Sequence, residues 1–237
     1  MKKWILILHG WGPGAEKWQP TAEKLRQAGF SVLLPDLPGL GQTPPPPKPW
    51  GVAEYADFLA KLLATNRVKR AVVVGHSFGG QLAVALASSH PSLVEKLILV
   101  APAIIRARSL KFRLIRFLTK LTKPVFQAIL SKRSFQRWQR LGYRLLRSHD
   151  YLETQGVMRE TFKKVIATDL SSQLASLSCP LLFVWGDRDR QVSLSQLSRL
   201  RELNQDIAIK VFPGVGHDLP FSQRDVLLET IKTWILS

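Results

Sequence analysis

The amino-acid sequence predicts an α/β protein built on a parallel β-sheet. Short, almost continuously apolar segments alternate with longer segments of helical periodicity, both in residues 1–101 and in residues 179–237. Strands covered by helices on both faces have this apolar character, and regular alternation with helices indicates right-handed crossovers between parallel strands. Residues 102–178 contain no convincing strand, and we interpret them as a helical cap inserted between the two parts of the core.

The individual elements follow from hydrophobic periodicity and from residues that stop helices, such as Pro91 after the third long helix. The predicted strands are Trp4–Leu8, Ser31–Pro35, Ala71–Gly75, Lys96–Ala101, Leu181–Gly186 and Ile207–Phe212. The predicted helices are Ala15–Ala28, Val52–Thr65, Phe78–His90, Ser193–Leu203 and Phe221–Leu236.

Composition limits the class of protein. Hydrophobic residues make up 46% of the chain and charged residues 22%, which is close to ordinary globular usage. No apolar run approaches the roughly 18 residues typical of a membrane span. The short apolar run after Met1 leads directly into His9-Gly10, so we interpret it as a strand and not as a signal peptide. The lone cysteine, Cys179, fits a reducing compartment and predicts a cytoplasmic protein.

The charge is concentrated in the predicted cap. The chain carries 34 Lys and Arg against 17 Asp and Glu, and residues 102–178 hold 16 of the former and 4 of the latter. One interpretation is that the apolar faces of the cap helices cover a binding site, while the basic residues form the solvated outer surface of the cap. The other interpretation is that a basic face binds an anionic partner, which is a membrane surface, an acidic carrier protein or an acidic substrate. If the partner is a membrane surface, the protein is located peripherally at the membrane. Nucleic acid is disfavoured because no recognised binding module is present. The residues concerned are Leu110, Leu114, Phe117, Leu118 and Leu121 beside Arg113, Arg116 and Lys120, followed by Phe135, Trp138, Leu141 and Leu145.

A nucleophile motif lies between the third strand and the third long helix. Gly75-His76-Ser77-Phe78-Gly79-Gly80 has the form G-x-S-x-G, and a sharp strand-to-helix turn at this point raises the serine above the sheet. The neighbouring glycines remove Cβ atoms that would clash in such a turn. We therefore predict that Ser77 is a catalytic nucleophile.

A histidine suited to act as its base follows the last strand. His217 lies in Gly214-Val215-Gly216-His217, where a loop can reach over the carboxyl edge of the sheet. The other histidines have structural explanations, and His76, next to the nucleophile, is expected to point away from the site. Two aspartates, Asp187 and Asp189, follow the preceding strand and leave the choice of acid open.

Taken together, these segments resemble the α/β-hydrolase superfamily in residues 1–101 and 179–237. The motifs that carry the resemblance are His9-Gly10-Trp11-Gly12, Asp36-Leu37-Pro38-Gly39-Leu40-Gly41, Gly75–Gly80, Gly186–Val192 and Gly214–His217. The first two are also similar to those of the pimeloyl-ACP methyl ester esterases. The chain departs from the family pattern in lacking the opening β-hairpin, which predicts about six strands.

The resemblance implies further roles. The spacing Gly-x-x-Asp-x-x-Val matches the family's acid turn and favours Asp189 over Asp187, which would then cap the turn or pair with an arginine. It also implies that the backbone N–H groups of Trp11 and Phe78 form an oxyanion hole, and adjacency of the first and third strands in this topology agrees with that assignment. The Trp11 ring itself could simply pack against a lid.

These predictions describe a serine hydrolase that cleaves small carboxylic ester or acyl substrates through an acyl-enzyme. Thioesters, lactones and activated C–C bonds are alternative substrates for the same chemistry. An alternative of another class is a non-catalytic ligand-binding protein of the same fold. No metal or organic cofactor is implied, because the sequence contains no Cys/His cluster, P-loop or dinucleotide fingerprint. The oligomeric state and the natural substrate are left open.

Overall fold

A computed structural model describes residues 2–12, 14–105 and 154–237. Its sheet has six strands in the order β2-β1-β3-β4-β5-β6, and every neighbouring pair is parallel. The strands are β1 (Trp4–Leu8), β2 (Ser31–Leu33), β3 (Ala71–His76), β4 (Val94–Val100), β5 (Leu181–Gly186) and β6 (Ile207–Phe212). The predicted parallel sheet of six strands is confirmed.

Helices cover both faces of the sheet. They are α1 (Gln19–Gln27), α2 (Val52–Thr65), α3 (Phe78–Ser89), α4 (Gly156–Ala167), α5 (Ser171–Ala175), α6 (Gln196–Leu203), α7 (Leu219–Ser222) and α8 (Arg224–Leu236). Two 3₁₀ turns, Glu16–Trp18 and Pro91–Leu93, precede α1 and β4.

The core divides into two hydrophobic clusters, one on each side of the sheet. Along β1, Leu6 and Leu8 belong to the cluster that includes Leu59 of α2, whereas Ile5 and Ile7 belong to the other cluster. Successive side chains of a strand point to opposite faces, so a fully apolar strand supplies both clusters. The buried apolar character of the predicted strands is thereby explained.

Several boundaries differ from the predicted ones for local reasons. The helix predicted at Ala15–Ala28 begins as a 3₁₀ turn and becomes α-helical only at Gln19, with Pro20 in its first turn. β2 ends at Leu33, before Pro35, which has no backbone N–H for a ladder. The helix predicted at Ser193–Leu203 starts at Gln196, after a turn in which Ser193 Oγ accepts the N–H of Ser195.

The sheet order places the end of β1 beside the end of β3. The chain passes from β1 outwards to β2 and then returns to β3 on the other side of β1. Loops that leave the carboxyl ends of adjacent strands in opposite directions open a crevice between them. The loop after β1 and the motif after β3 therefore meet at one edge of the sheet.

The described end of segment 102–178 packs onto the core. Thr161 Oγ1 of α4 accepts the backbone N–H of Trp50 at 3.1 Å, and Gln81 Nε2 of α3 donates to the Val165 carbonyl at 3.1 Å. Just before α5, the Leu170 N–H donates to the Ile104 carbonyl. The apolar and basic positions predicted between 110 and 145, including Arg113, Arg116 and Lys120, lie outside the described residues. None of the helices in the described ranges is both long and apolar enough to cross a membrane.

Candidate active site

The turn at Ser77 has the backbone conformation of a nucleophile elbow. Ser77 has φ 53° and ψ −111°, a left-handed region that L-residues rarely occupy outside strained turns. Its N–H donates to the Val100 carbonyl at 3.0 Å, and its carbonyl accepts the N–H groups of Gln81 and Ala103. These three bonds fix the strained residue between β3, β4 and α3.

Two glycines allow the elbow to approach neighbouring backbone. A Cβ on Gly75 would lie 2.5 Å from the Gly79 carbonyl oxygen, which is too close for a real contact. A Cβ on Gly79 would collide with the Leu8 carbonyl group at the end of β1. The start of α3 therefore touches the end of β1, which brings Ser77 next to the loop that follows β1.

His217 and Asp189 meet on the loops after β6 and β5. His217 Nδ1 lies 2.7 Å from Asp189 Oδ2, and the Asp189 side chain is fully buried. A carboxylate only accepts hydrogen bonds, so Nδ1 of His217 carries the proton and Nε2 holds the free lone pair. The second oxygen, Asp189 Oδ1, accepts the N–H groups of Gln191 and Val192 at 2.8 and 2.9 Å.

The other aspartate of this turn has a different place. Asp187 is exposed, and its Oδ1 accepts the Gly214 N–H at 2.7 Å. That bond joins the turn after β5 to the loop that precedes His217, without contact to the imidazole. Of the two candidate acids, only Asp189 is in contact with His217.

His76 does not point away from the site, contrary to the prediction. Its ring centroid lies 4.8 Å from that of His217, and its Nε2 donates to the His217 carbonyl at 3.1 Å. Alternation along β3 does direct His76 to the face opposite the elbow, but the loop bearing His217 returns over that same face, near Trp18 and Phe221. Burial, together with the nearby His217, lowers the pKa of His76 to about 3.

Two backbone donors flank Ser77. Neither the Trp11 N–H nor the Phe78 N–H donates a hydrogen bond to any other residue in the described ranges. A Cβ on Gly10 would lie 3.5 Å from the Ser77 Cβ, so the loop after β1 passes directly beside Ser77. The Trp11 ring packs edge-on against Phe78 and against Phe162 of α4, with centroid distances of 5.1 and 4.8 Å.

This loop is held by side chains of neighbouring loops. Asp36 accepts the Ala15 N–H at 2.6 Å through Oδ1 and the Gln42 N–H at 3.0 Å through Oδ2. His9 Nε2 accepts the Leu37 N–H at 3.1 Å, while Nδ1 lies 2.7 Å from the Gly10 carbonyl oxygen. Burial lowers the pKa of His9, which favours the neutral ring that both contacts require.

Ser77 and His217 line one cleft of about 250 Å³. The Ser77 hydroxyl makes no hydrogen bond to His217 within the described ranges. Catalytic hydrogen bonds are often long or poorly aligned without substrate, and rotation about the Ser77 Cα–Cβ bond moves its hydroxyl. The same cleft is also lined by Lys17, Trp18 and Phe221.

Sequence reasoning did not find three of these contributors. The Asp36 contacts join loops that are distant in sequence, although its place in an Asp-x-x-Gly motif after a strand was a usable signal. The His76 contact depends on the path of a loop 141 residues later, and the position of Lys17 depends on the same loop. No local pattern encodes such long-range proximity.

The described residues show no alternative chemistry of equal strength. Within 2–12, 14–105 and 154–237, no three His, Cys, Asp or Glu side chains are grouped so that they could hold a metal ion. Cys179 is half-buried, and burial raises the pKa of its thiol, which disfavours the nucleophilic thiolate.

Comparison with known proteins identifies the family. The sequence profile described as alpha/beta hydrolase fold matches residues 3–223, nearly the whole chain. The chain therefore belongs to the α/β-hydrolase family, which confirms the resemblance seen in the motifs. A solved esterase from Exiguobacterium antarcticum has the same fold, with a TM-score of 0.75 and 19% identity over 99% of this chain and 92% of the esterase.

Two sequence relatives cover most of the chain. A pimeloyl-[acyl-carrier protein] methyl ester esterase of Pseudoalteromonas atlantica is 29% identical over 233 residues, which is 90% of this chain and 86% of that protein. A 2-hydroxy-6-oxononadienedioate/2-hydroxy-6-oxononatrienedioate hydrolase of Cupriavidus pinatubonensis is 27% identical over 90% of this chain and 80% of its own length. An uncharacterised Mycobacterium tuberculosis protein is 41% identical, but over only 97 residues, 41% of this chain and 28% of that protein. The relatives thus support hydrolase activity and include both an esterase and a C–C bond hydrolase.

Proposed function

We propose that the protein is a serine hydrolase that cleaves carboxylic esters through an acyl-enzyme, with Ser77, His217 and Asp189 as its catalytic triad. The single observation that carries this proposal is the 2.7 Å contact between His217 Nδ1 and buried Asp189 Oδ2, in a cleft that also contains Ser77. It leaves the Nε2 lone pair of His217 free to receive a proton.

In the first half of the reaction, His217 Nε2 takes the hydroxyl proton of Ser77 as Oγ attacks the acyl carbon. The oxyanion that forms accepts hydrogen bonds from the N–H groups of Trp11 and Phe78, and each such donor contributes about 3 kcal/mol in comparable enzymes. The bond from the acyl carbon to the leaving oxygen breaks, and that oxygen takes the proton from His217. In the second half, His217 activates water, which releases the acid and restores Ser77.

The neighbouring groups support a neutral base. His76 is uncharged above its low pKa of about 3, so it places no second positive charge beside the imidazolium that forms on His217. Asp189 stabilises that imidazolium directly, and its own position is held by two backbone N–H groups.

Cleavage of an activated C–C bond is a second candidate for the same residues. The likeness to the hydrolase from Cupriavidus pinatubonensis favours it, and attack on a ketone carbonyl would use the same oxyanion donors. A ligand-binding protein without turnover is the alternative of another class. This alternative does not explain the strained Ser77 backbone or the buried His217–Asp189 contact.

A panel of p-nitrophenyl esters of increasing acyl length tests the proposal. Wild-type protein should hydrolyse at least one of them, and Ser77→Ala should lower kcat by several orders of magnitude with unchanged circular dichroism. Equal hydrolysis by wild type and Ser77→Ala would contradict the proposal. A vinylogous 1,5-diketone assayed in parallel would show whether C–C cleavage is the faster reaction.

The basic segment carries a separate proposal that rests on sequence alone. We infer that the protein is cytoplasmic and that residues 102–178 form a cap. The excess of Lys and Arg in this cap attracts the protein to an anionic surface. Cosedimentation with anionic vesicles should then fall steeply between 20 and 200 mM salt, since screening shortens to about 10 Å at 0.1 M. Reversal of charge at Arg113, Arg116 and Lys120 should weaken this binding while sparing hydrolysis of a small neutral ester. No cosedimentation with vesicles at low salt, together with no binding to an acidic carrier protein, would leave the cap with the role of covering the site alone.

A further inference from the structure

An ammonium group lies in the cleft beside the proposed nucleophile. Lys17 lines the cleft together with Ser77 and His217, and its Nζ lies 5.5 Å from the centroid of the Phe221 ring. That cation–π contact holds the charge at the cleft wall. Within the described residues, no carboxylate lies within ion-pair distance of Lys17. By contrast, Lys24 in α1 forms an ion pair with Asp225.

The position of the base decides which half of a substrate this wall would contact. His217 must lie within hydrogen-bond reach of the leaving oxygen in order to protonate it. The leaving group therefore lies on the His217 side of Ser77, where Lys17 and Phe221 line the cleft. The Trp11 ring lines the same cleft and packs against Phe78 and Phe162.

Trp18 adds apolar surface to this wall. It lines the cleft, but its indole N–H is buried and has no hydrogen-bond acceptor among the described residues. Asp218 is the acidic side chain that lines the same cleft. Lys17 and Asp218 are both exposed, so water and salt weaken the fields of both.

We propose that this cleft is a leaving-group subsite, and that Lys17 selects esters whose alcohol or phenol half carries an anionic group such as a carboxylate. The inference rests on the proposed serine hydrolase function and specifies its substrate class. In the step concerned, the Ser77 Oγ–acyl bond forms, the acyl–oxygen bond breaks, and the leaving oxygen receives its proton from His217. The ammonium of Lys17 faces the anionic group throughout and takes part in no bond change.

Two esters of matched size test this selection. In 4-acetoxybenzoate the phenol carries a carboxylate, and in 4-acetoxybenzamide it carries a neutral amide of nearly the same shape. The quantity to compare is the ratio of their kcat/KM values, because the intrinsic reactivity of each leaving group is the same for every variant and cancels. In Lys17→Met the ratio of anionic to neutral ester should fall about two- to fivefold, the range typical of an exposed charge pair, and in Lys17→Glu further, since the interaction is lost or reversed.

Matched variants separate this local effect from the general charge of the protein. Lys17→Arg should retain the wild-type ratio, and Asp218→Asn should raise it. Lys24→Met removes one positive charge from the same part of the chain, away from the cleft, and should leave both kcat/KM values unchanged. Thermal melting of each variant establishes that it is folded.

Three results would overturn the inference in distinguishable ways. If wild type and Lys17→Met hydrolyse both esters with the same ratio, the subsite assignment is wrong while the proposed function stands. If wild type hydrolyses neither ester and no member of the p-nitrophenyl panel, the proposed function fails and this inference fails with it. A fall in the ratio that is equally large in Lys24→Met would show a general charge effect and would also contradict the subsite.

Discussion

Ser77 and His217 are held in place by different kinds of contact. Ser77 lies in a turn fixed by backbone hydrogen bonds and by glycines that touch neighbouring backbone, so its position follows from the packing of β1, β3 and α3. His217 lies on a loop fixed by side-chain hydrogen bonds, to Asp189 through its ring and to His76 through its carbonyl. The comparison teaches that a change at the elbow glycines should impair folding, whereas a change among the loop contacts should impair catalysis more than folding.

The largest expected effect on the loop side is at the acid. Asp189→Asn should lower kcat/KM by about 10³- to 10⁴-fold, because an amide no longer holds the proton on Nδ1 of His217 or stabilises its imidazolium. Asp187→Asn keeps an oxygen acceptor for the Gly214 N–H and should lower it less than tenfold. Steady-state kinetics on one p-nitrophenyl ester would measure both. A larger loss in Asp187→Asn would show that Asp187 is the acid.

The matching test on the elbow side is Gly79→Ala. Alanine normally stabilises a helix relative to glycine by about 1 kcal/mol, but here its methyl group would meet the Leu8 carbonyl. Urea unfolding should therefore show a loss of about 3 kcal/mol or a failure to fold. Gly51→Ala is the control, because its methyl group would approach only the flexible Glu54 side chain. Stabilisation of the protein by Gly79→Ala would contradict the packing account of the elbow.

A smaller effect is expected at the contact that joins the two regions. His76→Phe keeps an aromatic ring but removes the donor to the His217 carbonyl, and a displaced base should lower kcat about 10- to 100-fold with little change in KM. His76→Gln supplies an amide N–H at about the reach of Nε2 and should recover much of the rate. The kcat and KM values of both variants, with melting temperatures, would measure this. If Phe and Gln reduce the rate equally, the hydrogen bond does not position His217.

No loss is expected at neutral pH from the low pKa of His76, and its effect on stability emerges only in acid. In the folded protein the pKa of His76 is about 3, below its ordinary value of 6.5. As the pH falls below 6.5, the unfolded chain takes up a proton at this residue and the folded chain does not, so folding stability is lost by up to about 1.4 kcal/mol per pH unit. His76→Gln lacks this proton uptake, so its unfolding free energy should fall less steeply between pH 6.5 and 4. Parallel curves for the two proteins would contradict the low pKa.

The same contrast explains what could be predicted from the sequence. Strands such as Trp4–Leu8 and Leu181–Gly186 were predicted with the bounds that the structure has, because burial on both faces leaves a continuous apolar run. The elbow was also predictable, since its residues are contiguous and its glycines have a local steric reason. These features depend on short stretches of chain.

Features that depend on two distant loops were not predictable in the same way. The orientation of His76 was predicted wrongly, because alternation along β3 gives the face of the ring but not the loop that covers it. The choice between Asp187 and Asp189 came from a family spacing, since each follows β5 by a few residues and only the path of the loop after β6 determines which one contacts His217. The cation of Lys17 in the cleft was missed for the same reason.

The central claim is that His217 and Asp189 activate Ser77, and labelling with a fluorophosphonate tests it most directly. Such a reagent bonds to an activated serine whatever the natural substrate is, and peptide mass spectrometry then identifies the modified residue. The account predicts rapid modification of Ser77 in wild type, none in Ser77→Ala, and labelling at least 100-fold slower in folded His217→Ala and Asp189→Asn. Modification of another residue, or labelling of Ser77 at the wild-type rate when His217 is absent, would contradict it.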